Sequence, residues 1–396
     1  MVKELFNSFM HPWEIKAMYN LKFKERIKQP KESLDSLVVG LNDRDFCYVS
    51  LSKVSRSFAV VIQQLPVELR DPVCIFYLVL RGLDSIEDDM DFDQESKLAL
   101  LRTFYEKCEI DGWNIENVGD SADYRVLLKH FEQVINLYKS LKPAYREVIS
   151  DITKRMGNGM ADFAEKKVNS LADYDLYCHY VAGLVGIGLS GLFSASGLES
   201  SFLQTEDDLS NSMGLFLQKT NIIRDYHEDL ESGRIFWPSD VWSKYEPVLG
   251  NFEKKAYEPN SLACLNELVS NALQHVPDCI TYMSKLKNKQ IFRFCAIPQV
   301  MAIATLAKVY NNPDVFTSNV KIRKGLGAKL MYYTNDFENL LFEFKKCAIK
   351  IENNLNPNDP HYEKIKSQVE YIKRVCSIDW NNPSYDFQHM IYKMVS

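Results

Sequence analysis

Along most of the chain, apolar residues return every three or four positions, and the strict alternation of a half-buried strand is almost nowhere sustained. This spacing predicts helices over 47–65, 72–90, 95–108, 123–141, 143–166, 173–196, 207–230, 261–286, 292–310, 324–353 and 361–376. Pro72 and Pro143 fall near two of the starts, where a fixed φ and a missing N–H cost least. No proline-, glycine- or serine-rich linker, low-complexity tract or fixed-period repeat divides the chain. The expected fold is all-α, with one large helical domain over 36–355, an N-terminal extension over 1–35 and a helical tail over 356–396. Residues 1–35, 112–122 and those after 353 read as peripheral.

Two predicted helices carry polar residues where an apolar element has no use for them. The first two turns of 72–89 are apolar almost all round, yet Tyr77, Arg81, Asp84 and Asp88 follow at spacings of 4, 3 and 4, which is one helix face. In 211–229, Gln218, Asn221, Asp225 and Asp229 share a stripe at spacings of 3, 4 and 4, accompanied by Met213, Leu217 and Ile222. Burying carboxylates and a guanidinium is costly unless they are paired or bind metal, so such stripes require a partner. Both segments end in the same pentad, Asp-x-x-Glu-Asp, at 84–88 and 225–229.

A lone acidic pentad reads as a solvated helix end. Two copies, each closing an apolar helix and each with an arginine nearby (Arg81 and Arg224), read differently. Carboxylates at i and i+4 project side by side, and their oxygens suit Mg2+, which is completed by waters and substrate phosphates. Guanidiniums meet phosphate oxygens as a fork. Asp84, Asp88, Asp225 and Asp229 are the expected ligands, with Glu87 and Glu228 assisting directly or through water.

Composition narrows the field. A net charge of −6 with 25% charged residues points to neither disorder nor a nucleic-acid partner, so any cationic site must be local. The nine cysteines are scattered, odd in number and contain no C-x-x-C pair, which fits reduced thiols in a cytosol-facing protein. The first residues lack the long apolar region and cleavage site of a secretory signal. The stretch 180–198 has no charged residue, but its five glycines and three serines suit a close-packed buried helix better than a membrane span. Within it, Gly186, Gly188 and Gly191 spell G-x-G-x-x-G. That motif marks a dinucleotide site only after a strand, and helices are expected on both sides.

Five blocks carry a resemblance: 54–62 (Val-Ser-Arg-Ser-Phe-Ala-Val-Val-Ile), 76–90 (through Arg-Gly-Leu-Asp-Ser-Ile-Glu-Asp-Asp-Met), 177–186 (Tyr-Cys-His-Tyr-Val-Ala-Gly-Leu-Val-Gly), 212–226 (through Gln-Lys-Thr-Asn-Ile-Ile-Arg-Asp-Tyr) and 294–302 (Phe-Cys-Ala-Ile-Pro-Gln-Val-Met-Ala). In these blocks, and in their order from about 47 to 327, the chain resembles the squalene/phytoene synthase family on its squalene-forming side. The resemblance implies an isoprenoid-synthase fold with a central cavity. It also implies an activity in which two farnesyl diphosphates couple head to head to presqualene diphosphate, which is then reduced with NADPH to squalene. The alternative within the family is coupling without reduction, as in phytoene or dehydrosqualene synthases; the Phe294 block and the cations at 321–324 favour the reductive form. A non-catalytic helical scaffold would have lost its metal ligands, and both pentads are intact.

The resemblance further implies residue roles. Ser55, Arg56 and Ser57 match the block that reaches the diphosphates, together with Tyr77, Arg81, Gln218, Asn221 and Arg224. Tyr177 takes the position that serves proton removal or cation stabilisation in the first half-reaction, and Phe294 that of the aromatic shielding carbocations in the second. A long apolar substrate needs a dry channel, for which Phe58, Val185, Leu189, Met213, Leu217 and Phe294 are the expected lining. Lys321, Arg323 and Lys324 are the densest cations for NADPH phosphates. Family members usually carry a C-terminal anchor, so this chain is expected to be a soluble, monomeric form of an enzyme of the cytosolic face of the endoplasmic reticulum. Its last helix, with Tyr385, Phe387, Met390, Ile391 and Tyr392, would lead toward that anchor.

Overall fold

The computed structural model describes residues 12–23, 32–55, 57–378 and 380. Among these residues there are helices and connecting turns and no strand, so the all-α expectation holds. In chain order the main helices are α1 (Pro12–Phe23), α2 (Asp43–Val54), α3 (Ser57–Gln63), α4 (Val67–Asp88), α5 (Gln94–Lys107), α6 (Ala122–Lys129), α7 (Phe131–Ser140), α8 (Pro143–Glu165) and α9 (Leu171–Cys178). After these come α10 (Leu184–Ala195), α11 (Asp207–Arg224), α12 (Tyr226–Glu231), α13 (Pro259–Leu273), α14 (Val276–Ser284), α15 (Lys289–Val309), α16 (Lys324–Tyr333), α17 (Phe337–Glu352) and α18 (Tyr362–Val375).

Several predicted helices are divided, each for a local reason. The helix expected over 47–65 starts earlier, where Asn42 caps it by accepting from the Asp45 N–H at 2.9 Å, and α2 stops at Ser55, whose hydroxyl bonds back to the Leu51 carbonyl. The stretch 123–141 breaks at His130, with ψ at 31°. The stretch 207–230 breaks at Asp225, with ψ at 12°. Pro277 cannot continue α13, so 261–286 becomes two helices. Asp336 accepts from the Asn339 N–H at 2.8 Å and starts α17 afresh inside 324–353. The stretch 173–196 is one helical rod, but it contains a π turn at His179–Gly183 between α9 and α10. A helix at Pro12–Phe23 lay outside the expectation and packs on α16.

The glycine-rich centre is a packing device. A Cβ on Gly186 would stand 2.1 Å from the Ser210 carbonyl oxygen, and one on Gly214 would stand 2.1 Å from the Ala182 carbonyl oxygen, so α10 and α11 touch backbone to backbone. Gly188 makes room for the Phe76 ring of α4, whose Cζ would lie 2.5 Å from its Cβ. The G-x-G-x-x-G string is therefore helix contact. The 25-residue rod Leu171–Ala195 and helix α15 are both long and apolar enough to cross a bilayer, but each packs within this fold. All nine cysteines are free thiols, eight of them buried.

The back of α11 is tied down by charge. Lys219 is fully buried, with Nζ 2.7 Å from Asp175 Oδ1 on α9 and 2.8 Å from Nε2 of His275. The imidazole must accept from the ammonium, so it is neutral, and its Nδ1 faces Ser212 Oγ at 3.4 Å. Ser212 donates onward to Asp278 at 2.8 Å. Burial, and after it the Lys219 charge, push the His275 pKa from 6.5 down to about 3. Below pH 6.5 the unfolded chain therefore takes up a proton that the folded chain refuses. Stability from this group is complete above pH 6.5 and is lost as pH falls toward 3, by up to about 1.4 kcal/mol per pH unit. His275→Gln keeps an acceptor for Lys219 but cannot titrate. Denaturant unfolding between about pH 6.5 and 4.5 should show a shallower loss of stability in the variant than in the parent, and parallel curves would remove this role.

Candidate active site

Helices α4 and α11 run their polar stripes toward one end of a cavity that α3, α10 and α15 complete. The cavity measures about 310 Å3 and is lined by Phe58, Tyr77, Arg81, Asp84, Val185, Leu189, Met213, Leu217, Gln218, Asn221 and Phe294, all expected from the sequence. Phe76, Met156 and Tyr282 add to its apolar wall. At the stripe end it meets a polar space of about 220 Å3 bounded by Asp84, Glu87, Asp88, Tyr177, Asp225, Asp229, Arg234 and Phe236, with Asp84, Val181, Gln218 and Asn221 common to both. A third space, also about 310 Å3, holds Arg224 and Lys321 and shares Phe58, Leu217, Asn221 and Pro298 with the first. The arrangement is an acidic mouth on a dry pocket, with a partly cationic chamber alongside.

Four carboxylates at the mouth are unusually reluctant to ionise. Burial raises Asp84 to about 6, against the pull of Arg81, and raises Asp229 to about 6. Burial, then the charges of Asp88 and Asp84, carries Glu87 to about 8, and burial also raises Asp88. A cluster of acids that cannot comfortably all ionise is a site short of positive charge. Part of the deficit is met inside the protein. Arg81 lies 3.4 Å from Asp84 and sits over the rings of Tyr77 and Tyr124 at 5.7 and 5.3 Å. The Nε of Arg224 donates to Asp225 at 2.7 Å, and the buried Lys97 donates to the Glu87 carbonyl at 3.0 Å. Among the described residues no three carboxylates converge tightly enough to grip an ion as they stand.

Arg234 explains part of that spacing, and the sequence reading missed it. Its guanidinium bridges the pentads, with Nη1 3.3 Å from Asp88 and Nη2 3.3 Å from Asp229. The turn that returns it to the mouth passes through Gly233 at φ +72°, and the Arg234 N–H donates to the Asp229 carbonyl at 2.8 Å. The only signal in the sequence was a lone cation five residues after the second pentad, beside a glycine. Phe236 was also missed: its ring stacks on Tyr177 at 5.2 Å and 19°. Tyr177 is buried, and desolvation followed by the Glu87 charge holds its phenol far above its ordinary pKa, so it is protonated.

Some expected residues stand elsewhere. Glu228 is exposed and lies outside the mouth, because the break at Asp225 resets the helix after it. Ser55 is buried and spends its hydroxyl on the Leu51 carbonyl at 2.6 Å, lining none of the three spaces. Arg56 and the side chain of Ser57 lie outside the described residues. Of the three cations near 321, Lys321 reaches the third space, Arg323 pairs with Glu14 of α1 at 2.6 Å, and Lys324 is exposed.

The squalene/phytoene synthase description matches residues 51–325, which take in both pentads and the whole cavity. The chain belongs to the squalene/phytoene synthase family. It is 51% identical to squalene synthase BSS of Botryococcus braunii over 340 residues, covering 84% of this chain and 74% of that one. Against the squalene synthase of Dictyostelium discoideum it is 47% identical over 379 residues, 94% of this chain and 89% of the other. The solved complex of TcSQS with the ligand E5700 superposes with a TM-score of 0.82 at 46% identity, over 84% of this chain and 98% of that one. The fold is accordingly of the terpenoid-synthase type, and the chain is an enzyme of prenyl transfer with squalene synthase activity. In this family member Arg234 should matter to turnover as well as to charge balance. Arg234→Gln is expected to keep its circular dichroism and to lower kcat roughly 100-fold, because Asp88 and Asp229 lose the cation between them, a loss on the scale of one preorganised electrostatic group. A kcat within about twofold of the parent would make the arginine a bystander.

Proposed function

We propose that the chain couples two farnesyl diphosphates head to head to presqualene diphosphate in a Mg2+-dependent step, then reduces this intermediate with NADPH to squalene. The observation that carries the reading is the cavity itself, an apolar pocket opening directly onto two opposed acidic pentads whose carboxylates are short of positive charge. The donor set fits Mg2+. It consists of carboxylate oxygens on two helices, Asp84, Glu87 and Asp88 facing Asp225 and Asp229, with room at the mouth and no thiol or imidazole among the lining residues. When bound, Mg2+ supplies the charge that neutralises a leaving diphosphate.

The chain's own residues would then do the following. Arg81, Arg224, Gln218 and Asn221, which line the mouth or the spaces beside it, donate to diphosphate oxygens. The apolar walls hold both prenyl chains and exclude water, so the cation left by C–O cleavage is attacked by the second chain's double bond and not by hydroxide. Closing the cyclopropane releases one proton. Tyr177, protonated and braced against Phe236, accepts it at Oη as its own proton passes to the departed diphosphate. In the second half the remaining diphosphate leaves and Phe294 presents its ring to the rearranging cation; NADPH, when bound, would supply the hydride that quenches it. Lys321 is the cation best placed for NADPH phosphates, since its chamber shares the wall of Phe58 and Leu217 with the prenyl cavity; Arg323 would join it on leaving Glu14, and Lys324 from solvent.

This reading also sets the protein at a membrane, because squalene is a hydrocarbon. We place it on the cytosolic face of the endoplasmic reticulum, as a monomer with its catalytic body over 36–355 and the tail from 356 leading toward an anchor. The described part of that tail, α18, packs on α13 and α17. The last helix expected beyond it, with Tyr385 to Tyr392, lies outside the described residues.

Incubating the chain with farnesyl diphosphate and Mg2+, with and without NADPH, and weighing the extracted products tests the whole reading. Squalene should appear only with NADPH; one unreduced C30 product in both tubes would favour coupling without reduction. Asp84→Asn and Asp225→Asn should each cut turnover roughly 1000-fold with helical content unchanged, and near-normal turnover in either would defeat the two-pentad site. Tyr177→Phe should stop presqualene diphosphate from forming, so its accumulation at the parent's rate would reassign the tyrosine.

A further inference from the structure

The cavity has two ends, and the helices fix which is which. Asp84 of α4 and Asn221 of α11 stand at the acidic mouth, as does Val181 of the π turn. Going back along α4, Phe76 and Val73 line the same cavity about 12 and 16 Å from Asp84 at the rise of an α-helix. Helices α10 and α11 are antiparallel, with Ala182 against Gly214 and Gly186 against Ser210, so the walk from Val181 through Val185 to Leu189 runs in the same direction, away from the mouth. The Phe76 ring over Gly188 marks the deep end on both walls.

At this depth a tyrosine is held in place. Tyr282 of α14 lines the cavity, is buried, and has its Oη 2.7 Å from Ser190 Oγ. Ser190 lies one helical turn beyond Gly186, donates to the Gly186 carbonyl at 3.0 Å and stands 2.8 Å from Ser210 Oγ. The arrangement that uses every proton has Ser190 donating to the carbonyl while its two lone pairs accept from Tyr282 and Ser210. The phenol therefore cannot swing aside without giving up its hydrogen bond in a dry setting, and Gly186 and Gly214 leave α10 and α11 no slack to part.

We propose that Tyr282, tethered by Ser190 and Ser210, is the floor of the prenyl cavity and sets the longest chain the enzyme accepts. The inference rests on the prenyl-diphosphate reading of the cavity and adds to it a length-determining residue. A ring fixed at the bottom admits a chain that ends short of it and rejects one with a further isoprenoid unit, because the extra atoms would have to displace a hydrogen-bonded side chain from a close-packed wall.

The test is binding of geranyl (C10), farnesyl (C15) and geranylgeranyl (C20) diphosphate, by calorimetry with Mg2+ present, to the parent and to Tyr282→Leu, Tyr282→Phe and Ser190→Ala. Competition between C15 and C20 substrates is then read as the lengths of the coupled products. The parent should bind C20 at least ~10-fold more weakly than C15. Tyr282→Leu should close most of that gap, whereas Ser190→Ala and Tyr282→Phe, each of which keeps the ring and cuts its tether, should close a smaller part of it. An unchanged gap in both Tyr282→Leu and Ser190→Ala, or a parent that binds C20 as tightly as C15, overturns the proposal. Ser190→Ala removes one oxygen and no bulk, so it answers the question even if Tyr282→Leu does not fold. Binding with the expected length preference but no coupling would count against the proposed reaction and in favour of the floor.

Discussion

Two rows of carboxylates are held near one another at the edge of a water-poor cavity, and much else in the molecule follows from the cost of keeping them there. Burial, against the pull of Arg81 and Arg234, pushes Asp84 and Asp229 to about 6 and, with the charges of Asp88 and Asp84, Glu87 to about 8. Such a cluster persists only if cations answer it, and the chain supplies them at several levels: Arg81 and Arg224 within the pentad helices, Lys97 beneath the first pentad, and Arg234 across the gap. The distribution leaves the mouth partly compensated. That residual deficit is what the proposed reading fills with a diphosphate and its accompanying cations.

Holding the rows in register is the work of the opposite faces of the same helices. The Lys219–Asp175 pair fastens α11 to α9, two residues before Tyr177, while His275 and Ser212 carry the attachment to α14. A fully buried ammonium is expensive to place and costly to strand, so the pair resists any slide of α11 past α9. The residues that line the acidic mouth and the tyrosine beside them thus share one rigid support.

The parts of this design that were legible in the sequence are those in which chemistry contradicts local context. Aspartates and an arginine on the face of a greasy helix call for a partner wherever they occur, so Asp84, Asp88, Asp225 and Asp229 could be named from spacing alone, and the lining residues from Phe58 to Phe294 followed from the resemblance. The parts that were not legible are those in which the period runs on undisturbed. Nothing in the apolar repeat announces the breaks at His130 or Asp225, and the second of these moved Glu228 into solvent. Lys219, sitting between Gln218 and Thr220, looks like any solvated lysine until the fold brings Asp175 and His275 to it. Arg234 depended on a left-handed glycine, and Tyr282 on a bond to a residue 92 positions away.

The backbone contact between α10 and α11 has a bearing on how the cavity walls yield. Where carbonyl oxygens rest on glycine Cα atoms there is no compressible layer of side chains, so this wall behaves as a single plate that cannot breathe. The third space beside the cavity is bounded instead by rotatable groups, the partly exposed Phe58 and the methionines Met301 and Met331. One molecule thus combines an unyielding boundary, which keeps distances between facing residues constant, with a neighbouring one whose shape side-chain rotation can change.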